Sequence, residues 1–165
     1  MEQEGRPFDG ERFRALARHL ASRSQADAAF DRAKLANLLH HCDFLAYAEL
    51  GDSITGAIYT KSAEGPWPER LDALDRLEGA GEDADTDMFT AAEVAIIEQA
   101  LRMLRDRDAS GNEPPTHIEA LSQYVDDGEV IAYNLVFIST EPPSPEAIRA
   151  AQEVAERLGR VARAG

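Results

Sequence analysis

A chain of 165 residues has the length of one ordinary domain and can bury roughly 70% of the surface its unfolded form exposes, and an apolar content of 44% excludes disorder throughout. With 31 acidic against 17 basic residues the net charge is −14, which repels phosphate backbones and anionic lipid heads, so neither direct nucleic-acid binding nor membrane association is expected. Cys42 is the lone cysteine, which leaves no internal disulfide and no multi-cysteine zinc site.

The opening MEQEGRPFDGERF is polar and has no apolar core of a signal peptide. No apolar run approaches the ~20 residues that span a bilayer, so a cytoplasmic protein is expected. Asp9 is placed to cap a first helix in which Phe13, Leu16, Ala17 and Leu20 recur at helical spacing. A break over ASRSQADAAF follows. From Asp31 a stronger helix is predicted to about Leu50, with Leu35, Leu38, Leu39, Cys42, Leu45 and Ala46 on one apolar stripe. Gly51 ends it, because glycine enters the left-handed turn without steric cost.

Ile54, Gly56 and Ile58 then alternate with Thr55, Ala57 and Tyr59, which predicts a strand over residues 54–60. Gly65, Pro66 and Pro68 read as a turn that stops it, since proline lacks the amide hydrogen and restricts the residue before it. Pro68 is expected to open a short helix through Leu71, Leu74 and Leu77. EGAGEDADTD, residues 78–87, has nothing to bury and reads as a mobile loop. Thr90 with Glu93, and Thr116 with Glu119, are capping-box pairs that each start a helix, the first carrying Val94, Ile97, Leu101 and Leu104, the second Ile118 and Leu121. Between these two helices RDRDASGNEPP reads as a second loop. EVIAYNLVFIS, residues 129–139, is rich in β-formers and predicts a second strand, paired with the first. Ser144, Pro145 and Glu146 open a final helix with Ile148, Ala151, Val154, Ala155 and Leu158 on one side and Gly159 as its stop. The expected fold is α+β and mainly helical, with about five or six helices packed around a small antiparallel sheet. Residues 1–29 form a lead-in and helix packed on the same domain, residues 30–158 form its body, and residues 159–165 a tail.

The segment HHCDF concentrates reactive groups, yet helical neighbours project about 100° apart, so only His40 and Asp43 can face the same way. Two ligands leave a zinc site incomplete, and Cys42 lies on the apolar stripe with the histidines at its margin. Ser53, Ser62 and Ser122 lack a nucleophile-elbow setting, and no Gly-Lys-Ser/Thr follows the glycines. No metal, cofactor or catalytic residue is expected, the enzyme alternative being the His40/Asp43 region. Tyr59, Trp67 and Tyr133 stand beside the proline-rich turn. Aromatics in such a setting either anchor a protein interface or fill the joint between sheet and helices, and Trp67 is the foremost candidate for partner contact.

The stretch KLANLLHHCDFLAYAELGDSITGAIYTKSAEGPWP resembles the opening of the Panacea domain, the SocA-like antitoxin domain of bacterial toxin–antitoxin loci and phages. A Lys-Leu helix carrying an aspartate is matched by Lys34, Leu35 and Asp43, and the glycine that ends it by Gly51. The family's Ile-Thr-Gly strand leading through a tyrosine to Gly-Pro-x-Pro is matched by Ile54, Thr55, Gly56, Tyr59, Gly65, Pro66 and Pro68. Thr90–Glu93 resembles the family's Thr-x-x-Glu helix start, and VIAYNLVFIS its closing strand, with Ala132 where a proline is usual and LSQYVDDGEV where a Ser-His pair and a tryptophan often stand. The resemblance covers about residues 30 to 158. It implies an antitoxin that binds a cognate protein toxin directly, or delivers it to a protease as an adaptor. A phage or host interaction module without a toxin shares the same sequence features. A basic, neighbour-encoded toxin would be captured faster by a chain this acidic.

Overall fold

The structure, a computed structural model, describes residues 5–74, 86–105, 116–137 and 145–164. The expected loop over residues 78–87 lies outside them up to residue 85, as do Leu77, Ser144, the second loop from residue 106 to 115 and the last two residues of the expected second strand. The described residues form five α-helices and a two-stranded antiparallel sheet, in the order α1 (Gly10–Arg23), α2 (Arg32–Leu50), β1 (Tyr59–Ser62), β2 (Gly65–Pro68), α3 (Ala91–Arg105), α4 (His117–Ala120) and α5 (Pro145–Ala164). The fold is α+β and mainly helical. No helix among the described residues is long and apolar enough to cross a membrane.

Helix α2 is the axis of the molecule. Asp31 caps it by accepting the Lys34 amide at 2.8 Å, and Gly51 closes it at φ +81° with its amide bonded to the Tyr47 carbonyl. A single apolar stripe was the expectation, but from Leu38 to Tyr47 every residue is buried, His40, His41 and Asp43 included. A helix enclosed all round is a core element with neighbours on every side. Helix α1 packs on it through Phe13, Leu16, Ala17 and Leu20, and α3 through Ile96, Ile97, Ala100, Leu101 and Leu104, all in one continuous core.

Both capping boxes form. Thr90 Oγ1 accepts the Glu93 amide at 3.1 Å while Glu93 accepts the Thr90 amide at 3.0 Å, and Thr116 and Glu119 do the same for α4. Arg12 joins three elements: it donates to the carbonyls of Ile54 and Met88, each at 2.7 Å, pairs with the Glu93 carboxylate, and lies over the Phe89 ring.

The sheet departs from expectation. Residues 54–58 are not strand, and β1 begins at Tyr59. Its partner is Gly65–Pro68, the segment read as a terminating turn, through a two-residue loop of Ala63 and Glu64. The prolines are compatible with this because of register. The Glu69 amide bonds the Ile58 carbonyl at 3.0 Å, which fixes the alternation: Thr60↔Trp67 and Ser62↔Gly65 are the hydrogen-bonded pairs, and Pro68 and Pro66 occupy the other positions. Their missing amide hydrogens therefore cost no ladder bond. Pro68 accordingly ends β2 rather than opening a helix, and among the described residues up to Leu74 a 3₁₀ turn, Leu71–Ala73, follows.

The second strand expected over residues 129–139 is also corrected. Residues 128–131 run along the free edge of β1, with Gly128 and Ile131 donating to Lys61 and Tyr59 carbonyls and Lys61 donating to Glu129, but regular pairing is confined to one bridge, Thr60↔Val130. Beyond it the chain coils into a 3₁₀ turn over Tyr133–Phe137, where Tyr133 and Val136 turn into the core instead of alternating across a sheet. Helix α5 likewise continues through Gly159, the expected stop, to Ala164.

Candidate partner-binding surface

Asp43, on α2, holds the hairpin in place from beneath. Its Oδ1 accepts the amides of Ile54 at 2.9 Å and Thr55 at 2.8 Å, and its Oδ2 accepts the hydroxyls of Thr55 and Tyr59, each at 2.6 Å. Burial pushes the carboxyl up, while the Thr55 and Tyr59 hydroxyls and the two amides pull it down. One carboxylate thus satisfies four donors of an irregular buried segment, where each unmade bond would cost about 1–3 kcal/mol. The neighbouring motif residues serve the same joint. Gly56 adopts φ +72° and lies so close to the lead-in that a Cβ would come within 2.5 Å of the Pro7 carbonyl oxygen. The lead-in is itself fastened by Asp9 N to Thr55 O at 2.8 Å and by Arg6 N to Asp52 at 2.6 Å.

The aromatics divide between inside and outside. Tyr59 and Tyr133, both candidates for partner contact, are 1% and 2% exposed and pack with Phe44 and His40. Tyr133 donates to the Ala57 carbonyl at 2.5 Å. Their side chains fill the joint between sheet and helices. Trp67 is different: it packs partly against the core yet is only half-buried. Paired residues in an antiparallel ladder share a face, and the register gives two faces here. Tyr59, Pro66, Pro68 and Ile131 are buried on the inner one, whereas Trp67, Thr60 and Val130 stand in a row on the outer one, with Val130 exposed. The outer row is thus Trp67 and Thr60 of the hairpin, both partly buried, beside the exposed Val130 of the edge segment, on a hairpin whose inner side is fixed by Asp43.

Neither Thr60 nor Val130 was singled out from sequence. The signal lay in the two-residue spacing between Ser62 and Gly65, which marks a hairpin and would have put Trp67 opposite Thr60.

His40 and His41 are wholly enclosed rather than at the core margin. His41 Nδ1 donates to the Asn37 carbonyl at 2.8 Å, and Thr116 Oγ1, already accepting the Glu119 amide, donates to His41 Nε2 at 2.7 Å. The imidazole is therefore a clasp between α2 and α4. His40 has no hydrogen-bond partner on either ring nitrogen, and burial, with His41 adding to it, holds it well below the usual histidine range. Burial pushes the Cys42 thiol far up, which leaves it protonated and unreactive. His40 and Asp43 are fully enclosed in the core, the Tyr59 ring against the one and its hydroxyl on the other. Lys34, the remaining motif residue, pairs with Asp27 at the mouth of a cleft of 530 Å³ between α1, α2 and α3, floored by Leu38, Leu101 and Leu104. Arg23 on the same rim pairs with Glu98, so both cations of the cleft are already neutralised.

Comparison of the chain with protein-family models, curated proteins and solved structures gives no match.

Proposed function

We propose that this protein is an antitoxin-like binder, which neutralises a protein toxin by gripping it with the outer face of the hairpin. The observation that carries the proposal is the row Trp67–Thr60–Val130, two partly buried residues of a short hairpin beside an exposed valine of the segment along its edge. An indole fixed in this way offers a large contact area with little conformational entropy to lose, the property that makes tryptophan a frequent interface anchor. The net charge of −14 favours a basic partner and accelerates its capture. The resemblance of residues 30–158 to the SocA-like domain supplies the class of partner: a toxin encoded beside this chain.

Co-expression of the untagged neighbouring gene product with tagged chain tests the proposal. The expected result is co-elution at low salt, rescue of growth from the neighbour's toxicity, and loss of both in Trp67→Ala. Co-elution and rescue that survive Trp67→Ala unchanged would remove the hairpin face from the account; absence of both in the unaltered pair would remove the antitoxin reading itself.

A further inference from the structure

The two edges of the hairpin are not alike. On the far edge of β2 the outward-facing positions are Pro66 and Pro68, because Gly65 and Trp67 turn their backbone groups towards β1. Proline has no amide hydrogen, so at both positions this edge offers no donor to a further strand. The other edge, beyond β1, is lined by residues 128–131. There the Glu129 carbonyl and the Ile131 amide face inward, the first accepting from Lys61 at 2.9 Å and the second donating to Tyr59 at 2.8 Å. Val130 lies between them, opposite Thr60, so its own N–H and C=O face outward. Neither group has a hydrogen-bond partner among the described residues, and Val130 is 43% exposed.

We infer that the Val130 edge receives an extended, Lys- or Arg-bearing segment of the partner protein, which adds an antiparallel strand there. The inference rests on the antitoxin-like reading above and gives the manner of the grip. The incoming residue opposite Val130 exchanges two backbone hydrogen bonds with it, the bonding of strand addition to a sheet edge. Because paired residues share a face, that residue's side chain stands beside Val130 and continues the row of Trp67 and Thr60 by one place. Charge favours such a partner over a second copy. The charged residues of 126–132 are Asp126, Asp127 and Glu129, all exposed, with no cation among them. Lys61, the one charged residue of β1, is engaged by the Val125 carbonyl at 3.1 Å and by Asp127 at 3.8 Å. Two copies paired through Val130 would bring both sets of carboxylates onto strands about 4.8 Å apart. A cationic segment meets Asp126 and Glu129 with opposite charge instead.

Val130→Pro removes the outward amide hydrogen and no hydrogen bond within the chain, while Val130→Ala removes most of the side chain and keeps the amide. In calorimetric titration with the neighbour-encoded protein, the proline variant is expected to bind at least about tenfold more weakly than the alanine variant. Equal affinities of the two variants, with binding still lost in Trp67→Ala, would overturn strand addition and leave the hairpin reading standing. Absence of any complex with the unaltered chain would remove that reading and this inference with it. Amide hydrogen exchange on the unaltered chain gives a measurement that does not depend on how the proline variant folds. Exchange at Val130 is expected to slow by at least about tenfold in the complex relative to the free chain, and an unchanged rate overturns the inference. Self-association of the chain alone that Val130→Pro abolishes would give the edge to a second copy, and would overturn it equally.

Discussion

At the scale of single residues, the buried polar groups of α2 follow two opposite logics. Asp43 is fully employed, with four donors on two oxygens. Asp43→Ala would strand all four, and a loss of at least about 3 kcal/mol is expected in denaturant unfolding; a loss below about 1 kcal/mol would show that the hairpin is held by something else. His40 only packs, its ring against Phe44 and Tyr59, and its two ring nitrogens are enclosed without hydrogen-bond partners. Because burial lowers its proton affinity in the folded state, His40 does not affect the pH dependence above about pH 6.5. As the pH falls through that value the unfolded chain gains a proton that the folded core refuses, and stability declines. His40→Leu is expected to leave stability near neutral pH equal or higher and to flatten the decline below about pH 6.5. Thermal unfolding of both proteins across that range measures it, and an unchanged slope would contradict it. The comparison separates His40 from Asp43, whose raised carboxyl makes stability fall as pH rises above the ordinary carboxylate range of about 4. Sequence placed Asp43 in the motif and both residues on one helix. Spacing within a helix gives no measure of how many sides it buries, so His40 was expected at the margin.

At the scale of elements, legibility followed the nature of the signal. Asp9, Asp31, Gly51 and the two capping boxes are local devices, and each appears where the sequence put it. The strands depend on non-local pairing, and there the expectation failed in an informative way: the β-formers of residues 131–137 coil into the core, while a glycine, a tryptophan and two prolines make the strand. Alternation decided it, since Pro66 and Pro68 sit where no ladder bond is required. Arg12 is the residue that binds elements together, and it carried no sequence signal because its partners lie 42 and 81 positions away. Arg12→Ala leaves the nearly buried Glu93 carboxylate without its counter-charge, for which about 3–5 kcal/mol of destabilisation is expected. Arg12→Lys should recover only part of it, because an ammonium cannot reproduce the guanidinium's spread of donors. Chemical denaturation of the two variants checks this, and equal stabilities for Lys and wild type would show that charge alone suffices.

At the scale of the whole molecule, the fold class was legible because helical periodicity dominates the chain. The proposed binding surface was legible only in part. Trp67 stood out by its setting, but its neighbours Thr60 and Val130 come from register, and Val130 from a segment 63 residues further on than Trp67. Trp67 was the foremost candidate in the sequence and Tyr59 and Tyr133 the weaker ones, and packing widens that difference: the two tyrosine rings fill the joint beneath the hairpin, and Trp67 is only partly buried. The same distinction applies to α5, whose two-sidedness the sequence announced without saying that the described residues leave it exposed. Together these features describe an anionic chain with a buried joint beneath the hairpin and a half-buried tryptophan on its other face, the face proposed for a toxin.

The most direct test of the account is calorimetric titration of the neighbour-encoded protein into the purified chain and into Trp67→Ala. The account predicts a measurable complex whose affinity falls by roughly thirtyfold, the loss of about 2 kcal/mol that marks an interface anchor. An affinity within about twofold of the unaltered chain, a difference of about 0.5 kcal/mol, would contradict it.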